Sequence, residues 1–198
     1  MAITSSVSSF LGKINQGVRP NLFLASINFP TTSVTGFPTS ADQQELTNIL
    51  CKSAALPASN LGVIEVPFRG RTVKIAGDRT FDTWTATFIN DRDFVIRNAF
   101  ERWMSAINRH EGNTADLVAP SNATGYTANI QIQQLERDTS AGGSVLRSYN
   151  LWGCFPTNIS QIDLAYDSND QIEDFTVEFQ LQYWTSGDNA ADYDNAIN

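Results

Sequence analysis

The chain has one histidine, two cysteines and few charges, and each shortage closes off a kind of chemistry. His110 stands between Arg109 and Glu111 with no second histidine after it, so a metalloprotease zinc helix cannot be completed. One histidine and the distant Cys51 and Cys154 exclude zinc sites by Cys/His spacing. Two cysteines make no disulfide framework and read as buried free thiols. The chain lacks a P-loop, a dinucleotide fingerprint and a G-x-S-x-G elbow. His110 itself reads as an exposed cap at a helix end. The one calcium-like spacing, Asp167, Asn169 and Glu178, places Ile172 where such a loop needs glycine. No apolar run approaches a membrane span, and the first residues carry no basic, apolar leader. The expectation is a protein without enzymatic activity, cofactor or membrane, made in a cytoplasm or built into something assembled there.

Charge is scarce and unevenly placed. The net charge is −8, with 17% charged and 41% apolar residues over 198 positions. From Asp163 onward there are nine acids and no Lys or Arg, while the first 162 residues sum to +1. Gripping nucleic acid needs clustered bases, so that role is excluded. Arg69, Arg71, Lys74 and Arg79 form the only basic stretch, and they suit an edge strand or acids on a partner.

What is present is mostly strand. A weak helix is expected over Ser5–Ile14, a strand over Asn21–Phe29 and a surface loop over Pro30–Gln44. Further strands are expected at Leu46–Ala55, Gly62–Phe68 and Thr72–Ala76, then a charged turn, Gly77-Asp78-Arg79-Thr80. Trp84, Ala86 and Phe88 alternate with threonines, the period of a half-buried strand. From Asp93 to Arg109 the apolar Ile96, Ala99, Phe100, Trp103 and Ile107 recur at helical spacing, with Asp91 and Asp93 at the positive end. Strands return at Thr127–Arg137, with a phase shift at Gln133-Gln134, and at Gly143–Leu151, Asn158–Tyr166 and Ile172–Trp184. The last two flank Asp167-Ser168-Asn169-Asp170, which has hairpin chemistry. In the last strand Phe175, Val177, Phe179, Leu181 and Tyr183 share one face, and Asp174, Thr176, Glu178, Gln180 and Gln182 the other. The expected fold is a mostly β, antiparallel sandwich or barrel of eight or nine strands with one packed amphipathic helix. Trp84, Phe88, Phe100, Trp103, Phe175 and Phe179 are its expected core.

Four segments, RPNLF (19–23), CKSAALP (51–57), VKIAGDRTFDTWTATFIND (73–91) and PTNISQIDLAYDSNDQIEDFTVEFQLQYW (156–184), resemble the tail tube proteins of contractile-tailed, T-even-like bacteriophages. The resemblance implies one tube domain over residues 1–198, with an N-terminal arm (1–18), an inserted loop (30–44) and a C-terminal tail (185–198). It implies kinship with type VI secretion tube proteins and homo-hexameric rings with a shared β-barrel lumen. The rings stack inside a sheath, enclose the tape measure protein, meet the baseplate hub and tail terminator, and pass DNA without specific binding. The location implied is the virion, assembled in the host cytoplasm. On that reading Gly77, Asp78, Arg79 and Thr80 form an assembly turn, with Arg69, Arg71, Lys74, Asp167, Ser168 and Asn169 as further assembly candidates. Asp174, Glu178, Gln180 and Gln182 are lumen candidates, with pairing to Arg69, Arg71 or Lys74 of a neighbour as the rival account. Two other readings are a tube subunit of a secretion or bacteriocin particle, and a carbohydrate-binding sandwich using Trp84, Trp152 and Trp184.

Overall fold

A computed structural model of the chain describes residues 7–14, 17–30, 41–120, 125–137, 144–167 and 169–187. In chain order the elements are α1 (Val7–Ile14), β1 (Phe23–Ile27), α2 (Ala41–Ile49), β2 (Cys51–Ala54), β3 (Asn60–Phe68), β4 (Arg71–Thr80), β5 (Trp84–Ile89), α3 (Val95–Ile107), β6 (Ala128–Leu135), β7 (Val145–Ile159), β8 (Asp174–Gln180) and β9 (Tyr183–Ser186). Every strand pair is antiparallel. The body orders its strands β1-β6-β7-β8-β5-β2 with β9 also on β7, while β3 and β4 pair only with each other.

The body is a sandwich because one strand pair runs through both of its sheets. Residues 145–154 of β7 lie between β6 and β9, and residues 155–159 lie against β8. The corner is Gly153, at φ 62°, where an added Cβ would come within 2.7 Å of the Gln182 side chain. Only glycine takes that backbone at that approach without strain. Gln182 N–H donates to the Trp152 carbonyl, so the partner strand bends at the same level and breaks into β8 and β9.

Helix α3 packs its apolar face on the core and leaves the other face exposed. Its N-terminus is held by the Asp91 carboxylate, which accepts from the Val95 and Ile96 amides at 3.0 and 3.3 Å. Those amides have no partner within a helix, so the carboxylate satisfies them and the helix dipole together. Its buried face is Ile96, Ala99, Phe100, Trp103 and Ala106. The Phe100 ring lies 5.2–6.3 Å from those of Phe29, Phe88, Phe175 and Phe179. Trp103 donates its indole N–H to the Tyr126 carbonyl at 2.7 Å. All six expected core aromatics are buried.

Four local expectations are corrected. Residues 41–49 are helix α2, not loop and strand: Thr47 is buried, and Leu46 and Leu50 pack on the core at helical spacing. Strand β7 continues through Trp152–Pro156, because Gly153 bends it and Pro156 sits beside a bulge, where a missing N–H is tolerated. It ends at Ile159, so 160–166 are not strand. The expected Ile172–Trp184 strand is two strands, which leaves Tyr183 47% exposed and places Thr185 and Ser186 in β9 rather than in a tail. The phase shift expected near Gln134 is present as a register slip between Gln134 and Leu135, and residues 31–40 lie outside the described residues.

Cys51 and Cys154 are free and buried, and burial raises both thiols from 9.0 to about 12. The fold therefore favours protonated thiols. Their contribution is undiminished below pH 9 and is lost between 9 and 12, where unfolded thiolates form first. At pH 8 the native protein is expected to resist maleimide, and denatured protein to take up two equivalents. Fast stoichiometric labelling of the native state would contradict this packing.

Candidate functional site

Strands β3 and β4 form an arm that stands off the body. The chain turns back at Arg69 and Gly70, both at positive φ (47° and 80°), the two-residue geometry whose twist matches paired strands. The register pairs Ile64 with Ile75, Val66 with Val73 and Phe68 with Arg71 on one face. Val63 with Ala76, Glu65 with Lys74 and Pro67 with Thr72 make the other. The first face is an apolar ladder, yet its large residues are 41–61% exposed. From Asn60 to Thr80 every residue is exposed except the half-buried Gly77.

The arm is anchored firmly where it leaves the body. Trp84 donates its indole N–H to the Ala55 carbonyl at 2.6 Å, and Trp184 donates to Ala58 at 2.9 Å. Asn60 donates to Asp82 at 2.7 Å, and Phe81 packs on the core. These contacts fix the direction of the arm from both of its ends.

Gly77-Asp78-Arg79-Thr80 is not a turn. It is the last part of β4, with Arg79 opposite Leu61 and Thr80 opposite Asn60. A register slip between Leu61 and Val63 brings two glycines together, and a Cβ on Gly77 would lie 3.1 Å from the Gly62 carbonyl carbon. Gly77 therefore permits close backbone approach at a bulge.

The other candidates fall in three places. Arg69, Arg71 and Lys74 lie on the arm: Arg69 sits over the Phe68 ring at 5.4 Å, and Lys74 is 3.6 Å from Glu65. Asp167 and Asn169 belong to the long connection 160–173, not to a tight hairpin, since the flanking strands end at Ile159 and begin at Asp174. Ser168 lies outside the described residues. Asp174, Glu178 and Gln180 are half-buried on the outer face of β8, and Gln182 is exposed at the corner. Asp174 is paired within its own chain to Lys52, and Thr87 and Thr176 bond across the same face. What the sequence reading missed is the ladder of Ile64, Ile75, Val66, Val73 and Phe68. Two β-rich runs around Arg-Gly carried the signal, but it shows only when residues are counted outward from the turn.

No group of side chains that would hold a metal occurs among the described residues. Trp84 is buried, Trp152 stacks on Tyr183 at 6.2 Å, and Trp184 is bonded to Ala58, so the tryptophans serve packing and anchoring. The site is an uncovered apolar surface on an arm anchored to the body, which suits association.

A model of the family described as phage tail tube protein matches residues 18–186. The chain belongs to the phage tail tube protein family. The tail tube protein gp19 of Enterobacteria phage T4 is similar at 34% identity over 166 residues, 84% of this chain and 90% of that protein. Among solved structures, a chain of the anti-feeding prophage tube-terminating cap aligns with a TM-score of 0.60 at 20% identity, covering 94% of this chain and 99% of that one. A chain of an extracellular contractile injection system sheath–tube complex aligns at 0.53 and 16% identity, covering 92% and 99%. These structures share the fold. The protein is a structural component, a tail tube protein of the contractile-phage kind.

At the foot of this tail tube protein's arm, Gly77→Val is expected to part the strands opposite Gly62 and to speed tryptic cleavage at Arg71, Lys74 and Arg79 several-fold. The body's stability should change by about 0.5 kcal/mol or less, because nothing in the core is touched. Limited proteolysis beside thermal melting checks both; unchanged cleavage would show that the close approach is not needed.

Proposed function

We propose that the protein forms homo-hexameric rings that stack into a hollow tube inside a contractile sheath, and that the tube delivers the phage genome. The observation that carries this reading is the arm: a body with a closed core extends an apolar ladder that it does not cover itself. A two-stranded ribbon is marginal in water alone, and burying the exposed half of each large apolar residue contributes about 1 kcal/mol. Association between subunits supplies that cover. A ring further needs a head-to-tail interface that closes, and body strands β1 and β2, which end the sheet order, are where neighbours can meet.

The polar outer face of β5 and β8 supports a lumen assignment. Thr85, Thr87, Thr176, Glu178 and Gln180 carry no large apolar group, and Lys52 offsets Asp174 there. A wall without free basic charge lets DNA pass without holding its phosphates. The reading includes a tape measure protein in the lumen during assembly, a sheath outside, and a baseplate hub and terminator at the ends. Assembly takes place in the host cytoplasm, and the protein has no catalytic role. The 34% identity to a phage protein favours a phage tail over another contractile particle.

Replacing Leu61–Arg79 by a short turn tests the reading. The intact chain is expected to give sixfold rings and tubes in negative stain, with interfaces of roughly 2,000 Å² or more. The shortened chain is expected to keep its near-ultraviolet circular dichroism and to sediment as a monomer. Normal tubes from the shortened chain would remove the arm from assembly, and an intact chain that stays monomeric at high concentration would overturn the tube itself.

A further inference from the structure

Resting on the tube reading, we infer that the arm of one copy seats in the cleft formed by the 160–174 connection of another, so that arm and cleft are the two halves of the axial joint. The cleft is an open cavity of about 770 Å³. Its rim presents Leu164, Tyr166 and Ile172, which are 81%, 109% and 77% exposed. Such side chains in one loop form a patch that the body does not use. The arm presents the matching surface, the ladder Ile64/Ile75 and Val66/Val73 ending in Phe68.

Charge makes the match directional. The connection and the start of β8 carry Asp163, Asp167, Asp170, Glu173 and Asp174 and no base. Glu173 is taken up by Asn90 and Asp174 by Lys52, which leaves Asp163, Asp167 and Asp170 exposed without a basic partner in their own loop. The arm tip carries Arg69 and Arg71 and no acid from Val66 to Lys74. Opposite charges around an apolar centre fix orientation and suppress the reversed arrangement.

Placement decides what the joint builds. The arm leaves the body beside Trp84, the first residue of β5, which pairs with Phe179. The cleft lies at the other end of the same strand pair, where Ile89 pairs with Asp174. Complementary surfaces at opposite ends cannot satisfy each other within one subunit; repeated by translation they give an open-ended stack. The arm, ten residues long in β4, reaches about 33 Å, enough to cross from one layer into the next.

Two pairs of charge reversals test the joint. Arg69→Glu with Arg71→Glu, or Asp163→Lys with Asp167→Lys, is expected to raise the protein concentration needed for tube growth at low salt by about tenfold or more. All four changes together should restore growth, because the charges are exchanged and not lost. As a second readout, tubes grown from a mixture of Arg69→Cys and Leu164→Cys subunits should give a cross-linked dimer with a short bismaleimide. Cys51 and Cys154 are buried and do not compete. Loop-reversed subunits that stack normally, or tubes that form without that cross-link, would overturn the joint and leave the tube reading standing. An intact chain that forms no tubes would overturn both.

Discussion

The body closes on Phe100. Its ring is surrounded by Phe88 of β5, Phe175 and Phe179 of β8, and Phe29 from the segment after β1, all buried in the core. That contact is possible because β7 turns at Gly153 and carries its partner strands around with it. Once the sheets are folded together and α3 packs on them, every large side chain of the central cluster has a neighbour. The arm is then left outside, with apolar residues that no part of the body can reach. The same economy that gives a stable subunit leaves it incomplete.

This division of labour links energetics to function. The core of the body is closed within the subunit: its aromatic cluster is buried, its helix is capped by Asp91 and its thiols are buried. The arm is held at its foot by two indole N–H bonds and the Asn60–Asp82 bond, yet along its length it has backbone pairing, the exposed Glu65–Lys74 pair and Arg69 over the Phe68 ring. An exposed ion pair of that kind is worth little. On the proposed reading, association supplies the cover that the ladder lacks.

Much of the body was legible in the residues. The alternation of Trp84, Ala86 and Phe88 and of Phe175, Val177 and Phe179 gave strand faces that the structure reproduces, and the spacing of Ile96 to Trp103 gave the helix. The quoted segments gave the family, which the matches show. Three features were not legible, each for a physical reason. Trp152-Gly153-Cys154-Phe155-Pro156 carries breakers that mark a corner, and local pattern does not separate a corner from a loop. Asp42-Gln43-Gln44-Glu45 has no apolar periodicity, so α2 shows only through Leu46, Thr47 and Leu50 packing on the core. The charged letters Gly77-Asp78-Arg79-Thr80 read as a turn, although Gly62, fifteen residues earlier, is what requires the glycine. Register, not composition, exposes the ladder on the arm.

The central claim is that the core of the body is complete within the subunit and the arm is not. Hydrogen exchange on free subunits and on assembled particles measures this directly. The account predicts strong protection of β5, β8 and α3 in both states. It predicts rapid exchange of Asn60–Thr80 in the free subunit, and protection of the same amides on assembly. An arm already protected in the free subunit, or still exchanging rapidly in the assembled particle, would contradict it.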